Sequence, residues 1–168
     1  MAKKSAKHDH ASTPAVAALV AAGTEHSLHP YEHDPNSELG YGLEAAAAIG
    51  AMPEQVFKTL CAYVDGQLSV GIVPVNRKLD LKALAAACGG KKAEMAPPAD
   101  AERSSGYVVG GISPIGQRKK LPTVLDSTAE LFDTIYVSGG RRGLDIGLAP
   151  TDLAAITGAI VAPIAKDS

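Results

Sequence analysis

The 168-residue sequence has no tryptophan, and its aromatic residues are five tyrosines and two phenylalanines. A platform that stacks unpaired bases on aromatic side chains is therefore not expected. A basic excess is also missing: 16 lysines and arginines face 18 aspartates and glutamates, for a net charge of −2. That balance argues against a protein that coats nucleic acid electrostatically, and leaves room only for a local groove touching a few phosphates. Cysteine is scarce too. Cys61 and Cys88 belong to no C-x-x-C pair, which argues against structural zinc, and both read as reduced thiols of a cytoplasmic protein. No apolar run is long enough to span a bilayer.

Several catalytic templates are absent as well. Gly111-Ile112-Ser113-Pro114-Ile115-Gly116 does not have the spacing of a nucleophile elbow. No Walker A or G-x-G-x-x-G motif follows a strand and opens a helix. His26, His29 and His33 cluster, but Pro30 keeps them off one helix face, so they read as surface or packing histidines and not as a metal site. Near the N-terminus, Lys3, Lys4 and Lys7 precede the apolar stretch 15–22 and imitate a secretory leader. The polar residues between them break that pattern. Ser12 or Thr13 ahead of Pro14 reads instead as the cap of a short helix that Gly23 ends.

What the sequence does have is periodicity. The run 56–64 is rich in β-branched, aromatic and aliphatic residues and is followed by Asp65-Gly66, a hairpin turn signal. With residues 67–75 it predicts a β-hairpin. Within it Lys58 shares a face with Val56, Leu60 and Ala62. A lysine among apolar neighbours snorkels, pairs with an acid, guards an edge strand or meets an anionic ligand. Pattern alone leaves these open.

Further expectations are helices over 13–22, 43–49, 80–87, 97–103 and 150–157. Strands are expected over 91–95, 107–109, 122–125, 133–137, 144–148 and 159–163, and an extended segment around Tyr31. Residues 139–143, Gly-Gly-Arg-Arg-Gly, read as a tight turn whose backbone N–H groups and arginines suit an anion, or as an ordinary hairpin loop. Arg118-Lys119-Lys120 reads as a solvated basic loop. Asp145, between Leu144 and Ile146, points away from both, to solvent or into a cleft. Strands outnumber helices, and adjacent hairpins imply antiparallel or mixed pairing, so the expected class is α+β and not a doubly wound parallel sheet. The expected organisation is a disordered basic tail over 1–11, a single domain over 12–164 and a C-terminal tail over 165–168.

An ordered set of segments resembles the YbaK family of aminoacyl-tRNA deacylases, related to the editing domain of bacterial prolyl-tRNA synthetases. The segments are Tyr31-Glu32-His33-Asp34-Pro35, Gly42-Leu43-Glu44-Ala45-Ala46, Gln55-Val56-Phe57-Lys58-Thr59-Leu60, 110–116 and 138–144. The resemblance implies a mixed, largely antiparallel sheet, a partly closed barrel, surrounded by short helices. It implies a trans-editing hydrolase, in its closest subgroup one that removes cysteine from mischarged Cys-tRNA(Pro). There the substrate's own thiol attacks its ester, so no cofactor and no metal are needed. Lys58, Asp145 and Tyr31 take the catalytic positions, with Lys58 holding the terminal nucleotide and Asp145 facing the α-amino group. Tyr41, Gly111, Ile112, Ser138, Gly140 and Arg141 take substrate-binding positions, and Tyr41 stands where close relatives are expected to carry Phe. The partners implied are aminoacyl-tRNA and, transiently, prolyl-tRNA synthetase, with no membrane and no DNA. A deacylase for alanine or serine, or a non-catalytic module docking on tRNA or synthetase, are the alternatives.

Overall fold

The computed structural model describes residues 13–168. The basic tail expected over 1–11, and Ser12 as a cap, lie outside the described residues. Helix α1 (Pro14–Ala22) starts where its chemistry dictates: the Thr13 hydroxyl accepts from the Val16 N–H, proline occupies the first turn, and Gly23 closes the helix in the left-handed region at φ 68°. Strand β1 (Ser27–Pro30) follows. Helix α2 (Gly40–Ile49) begins ahead of the expected Leu43. Strands β2 (Phe57–Val64) and β3 (Gln67–Pro74) are the expected hairpin. Its turn residues Asp65 and Gly66 both have positive φ, at 47° and 84°.

The chain continues through β4 (Lys78–Leu79). Next comes α3 (Leu81–Ala87), capped by the Asp80 carboxylate, which accepts from the Ala83 N–H. It goes on through β5 (Ala93–Met95), α4 (Pro98–Ser105) and β6 (Thr123–Asp126). The last elements are β7 (Ile135–Arg141), β8 (Leu144–Leu148), α5 (Pro150–Thr157), β9 (Ile160–Ala162) and β10 (Ala165–Lys166).

The class is α+β. A five-stranded sheet runs β5-β2-β3-β6-β9, a three-stranded sheet β1-β8-β7, and a small ribbon pairs β10 with β4. Pairing is mostly antiparallel, but β3–β6 and β6–β9 are parallel. The two larger sheets meet at an isolated parallel bridge between Val56 and Tyr136, which closes the barrel only in part.

Alternation along the strands sorts the core into layers. Phe57 and Cys61 of β2, Val70 and Ile72 of β3, Ile135 and Val137 of β7, and Leu144, Ile146 and Leu148 of β8 share the main core with α1. Ala62 and Val64 of β2, Val73 of β3 and Val124 of β6 point the other way, onto Leu84 and Ala85 of α3. The five-stranded sheet is thus buried on both faces, whereas β8 lends its second face to something else.

Two local expectations need correction. Residues 107–109 form no strand but lead into a turn. Val109 is met by side chains instead of a ladder: its N–H donates to Glu102 Oε2 at 2.9 Å, and its carbonyl accepts from Arg142. The second correction concerns 139–143. Gly139 and Gly140 belong to β7, within a bulge between Ser138 and Arg141, and only Arg142 and Gly143 make the turn.

Candidate active site

Residues far apart in the chain converge on one cavity of about 460 Å³. Its walls come from the start of β2, the N-terminal half of α2, the three-stranded sheet and the loop 109–112, with Met95 to Ala101 along one side. Six of the expected site residues line it: Tyr31, Tyr41, Lys58, Ile112, Ser138 and Asp145. Thr59, Leu60, Cys61, Val109 and Gly110 line it too, and none of them is among the site residues expected from the sequence.

Lys58 reaches the cavity because β2 is only half covered. Strand β3 pairs along all of β2, with Lys58 opposite Val73, but β5 pairs only with residues 62–64. The start of β2 is therefore an open edge, and the lysine stands on it beside Leu60. It is partly buried, and that burial lowers its pKa from the usual lysine range. Among the described residues it forms no salt bridge. An ammonium that is partly desolvated and has no acid to pair with favours an anionic ligand.

Asp145 comes from the register of the three-stranded sheet. It lies opposite Ser138 on β7 and His29 on β1, and residues directly opposite share a face. Its neighbours Leu144 and Ile146 point into the main core. Its side chain is 4% exposed, and burial pushes its pKa up to about 7. Among the described residues no donor hydrogen-bonds this carboxyl, a costly state for a buried acid unless a ligand completes it. Tyr31 follows β1 and is held by its backbone N–H, which donates to the Gly143 carbonyl at 2.9 Å. Burial raises its phenol's pKa first, and the Asp145 charge raises it further. A phenol held protonated and a carboxyl raised to near neutral pH thus share one wall.

Among the described residues no activated nucleophile accompanies them. Cys61 is buried, and burial pushes its thiol pKa up, which makes it inert. The Ser138 hydroxyl accepts from the Gly140 N–H at 3.2 Å. Thr59 carries the one pocket-lining hydroxyl that is buried without a hydrogen-bond partner among the described residues. Alternation along β2 could have flagged it, since Thr59 is the polar residue between the core-facing Phe57 and Cys61.

Three expected site residues do not line the cavity but support it. A Cβ on Gly111 would lie 2.7 Å from the Arg141 Cα, so this glycine lets the loop 109–112 lie flat on the β7–β8 hairpin. Gly140 has φ 106° and faces Thr13 and Tyr107, away from the cavity. The Thr13 hydroxyl that caps α1 also donates to the Gly139 carbonyl at 2.5 Å, tying the bulge to the helix start. Arg141 Nη1 donates to the Arg142 carbonyl at 3.2 Å. Between the cavity-lining Leu43 and Ala45, Glu44 of α2 is 8% exposed and meets His33 Nδ1 at 2.8 Å and the Asp34 N–H at 2.7 Å. These contacts hold its carboxyl below the usual glutamate range, the His33 hydrogen bond foremost. A lone acid in an alanine-rich helix was the sequence signal for it. No group of three metal-ligating side chains occurs among the described residues, nor any helix long and apolar enough to cross a membrane.

The family model for the aminoacyl-tRNA editing domain matches residues 41–156. A protein of Enterococcus faecalis that carries the assignment Cys-tRNA(Pro)/Cys-tRNA(Cys) deacylase EbsC is 42% identical over 114 residues, covering 67% of this chain and 69% of the relative. The multifunctional Ser/Thr-tRNA deacylase ProXp-y of Escherichia coli is 32% identical over 115 residues, covering 65% and 69%. A crystal structure assigned to a trans-editing enzyme for prolyl-tRNA synthetase superposes with a TM-score of 0.78 at 27% identity, covering 91% of this chain and 95% of that one. The hypothetical protein APE2540 shares the fold, with a TM-score of 0.77 at 24% identity over 88% of this chain and 96% of its own.

Proposed function

This chain belongs to the aminoacyl-tRNA editing domain family, the YbaK family, and on that premise we propose that it is a trans-editing hydrolase for mischarged Cys-tRNA(Pro). The observation that carries the reading is that one largely apolar cavity holds the Lys58 ammonium, which has no salt bridge among the described residues, and the buried Asp145 carboxyl, which accepts no hydrogen bond from them. An aminoacyl-tRNA 3′ end complements both. Its terminal phosphate and its ester carbonyl, where negative charge grows, suit Lys58. Its α-ammonium suits Asp145, which an ionic partner returns to the charged form. Tyr31 and Ser138 orient the ester, Tyr41 and Ile112 enclose it, and Gly111, Gly140 and Arg141 hold the surrounding loops in place.

The protein needs no nucleophile of its own if the substrate brings one. The cysteine sulfur attacks its own carbonyl carbon, the bond to the ribose 3′ oxygen breaks, and the thiol proton passes to that oxygen. Products are a four-membered thiolactone, opened afterwards by water, and tRNA with a free 3′ hydroxyl. Holding sulfur and carbonyl in attack geometry is the enzyme's contribution. The inert Cys61 fits this division of labour.

The kinship with a Ser/Thr-tRNA deacylase favours a second reading, in which the same cavity also clears serine esters. Side chains this similar are discriminated only weakly by pocket shape. Comparing Cys-, Ser- and Ala-tRNA(Pro) separates the two. Thiol assistance predicts cysteine released at least about tenfold faster than alanine, a gap of about 1.4 kcal/mol in barrier. Equal rates for Cys-tRNA(Pro) and Ala-tRNA(Pro) would sink it, since alanine has no side-chain nucleophile. With a net charge of −2 the chain gains little from counterion release on tRNA. The proposal therefore includes a transient complex with prolyl-tRNA synthetase that delivers the substrate.

A further inference from the structure

The cavity's mouth is built from three chain segments far apart in sequence, and one side chain touches all of them. The Arg142 guanidinium belongs to the β7–β8 turn. Its Nε and Nη2 both donate to the Val109 carbonyl, at 3.0 and 2.7 Å. Its Cζ lies 4.9 Å from the centre of the Tyr41 ring, at the start of α2. Gly110 completes the junction: its φ is 91°, and a Cβ there would lie 2.7 Å from Arg142 Nε and 2.9 Å from Tyr41 Cδ1. Only glycine permits that approach.

Each neighbour is fixed from its far side as well. The Val109 N–H donates to Glu102 of α4, so charged side chains grip both backbone groups of this residue. The Tyr41 ring has the His33 ring 5.6 Å away on another side, and His33 is tied to Glu44. Val109, Gly110 and Tyr41 all line the cavity.

We propose that Arg142 is a positioning residue for deacylation, clamping the loop 109–112 to Tyr41 so that the cavity mouth holds one shape. Among basic side chains this job belongs to arginine. Lysine offers a point charge, with neither the planar fork that reaches one carbonyl twice nor the flat face that stacks on a ring. An arginine that merely attracted tRNA phosphates would be replaceable by lysine with little loss. The choice between the two roles is therefore measurable.

The inference rests on the deacylase reading for its activity readout alone. Hydrogen exchange on the full chain gives a second readout that needs no substrate. Arg142→Ala and Arg142→Lys are both expected to speed exchange of the Val109 and Gly111 amides by about tenfold. In turnover of Cys-tRNA(Pro), both are expected to lower kcat about tenfold with KM changed less than threefold, because a loosened mouth misplaces a bound ester. Tyr41→Leu, made with Arg142 intact, is expected to slow turnover similarly, and the double variant to lose no more than the worse single. Full rescue by Arg142→Lys, or a loss confined to KM that high salt abolishes, would overturn the clamp in favour of a phosphate contact. So would unchanged exchange at 109–111 in Arg142→Ala, or faster exchange with unchanged turnover. If wild type releases no amino acid, the deacylase reading falls, and the exchange arm still decides whether the clamp exists.

Discussion

Two aspartates are equally buried and live in opposite circumstances. Asp126, at the end of β6, is 2% exposed and Asp145, on β8, is 4% exposed. Asp126 accepts four hydrogen bonds: from the Ile164 and Ala165 N–H groups, each at 2.8 Å, and from the N–H and hydroxyl of Thr128, at 3.1 and 2.5 Å. It staples the C-terminal segment to the five-stranded sheet and starts the 3₁₀ turn Ser127–Leu131. Asp145 accepts none from the described residues, and burial alone lifts its pKa to about 7. A satisfied buried carboxylate holds a fold together. A buried carboxyl left without partners costs stability and is kept where a ligand completes it.

The largest effect expected from this contrast is structural. Asp126→Asn puts an NH2 group against N–H donors and should destabilise the fold by about 2–4 kcal/mol. Urea unfolding would show it as a lower midpoint at unchanged slope. The matching change at the site, Asp145→Asn, should abolish most deacylation yet leave stability at pH 8 equal to wild type or higher. Comparable destabilisation by both substitutions would erase the distinction.

The pH dependence sharpens the same point. The Asp145 pKa is raised on folding, from 3.8 to about 7. Its contribution is thus fully favourable below pH ~4, declines as pH rises, and is lost above about 7, where both states are ionised. The whole change is on the order of 4 kcal/mol, at most about 1.4 kcal/mol per pH unit. Denaturation midpoints measured from pH 4 to 8 should fall less steeply with rising pH in Asp145→Asn than in wild type, and identical slopes would contradict the assignment. The smallest effect is expected at Cys61. Cys61→Ala should cost about 1 kcal/mol of stability and alter Cys-tRNA(Pro) turnover less than about twofold, less than 0.5 kcal/mol of barrier. A hundredfold loss there would return the nucleophile to the protein.

Local chemistry made much of this fold legible in the sequence. Thr13-Pro14 and Asp80 cap their helices as read, and Asp65-Gly66 turns the β2–β3 hairpin, because each signal acts within a few residues. The parallel pairings β3–β6 and β6–β9 were not legible, since they join segments with no short-range signature. Residues 107–109 have strand composition, but Val109 finds its backbone partners in Glu102 and Arg142, and the Arg142 contact is made across more than thirty positions. At the site, alternation placed Lys58 and Asp145 each on a definite strand face. Only the half-covered edge of β2 and the register of β8 bring both to one cavity. Arg142 was legible as one of two arginines in a glycine-rich turn, and its contact with Tyr41 was not.

We propose that Lys58, a cation with no acid partner among the described residues, makes the cavity an active site. Single-turnover deacylation of Cys-tRNA(Pro) by wild type and by Lys58→Ala tests it most directly. Release by wild type is expected well above the buffer rate, with a loss of about a hundredfold or more in the variant, near 3 kcal/mol of transition-state stabilisation. Release at the buffer rate by both, or at the wild-type rate by the variant, would contradict it.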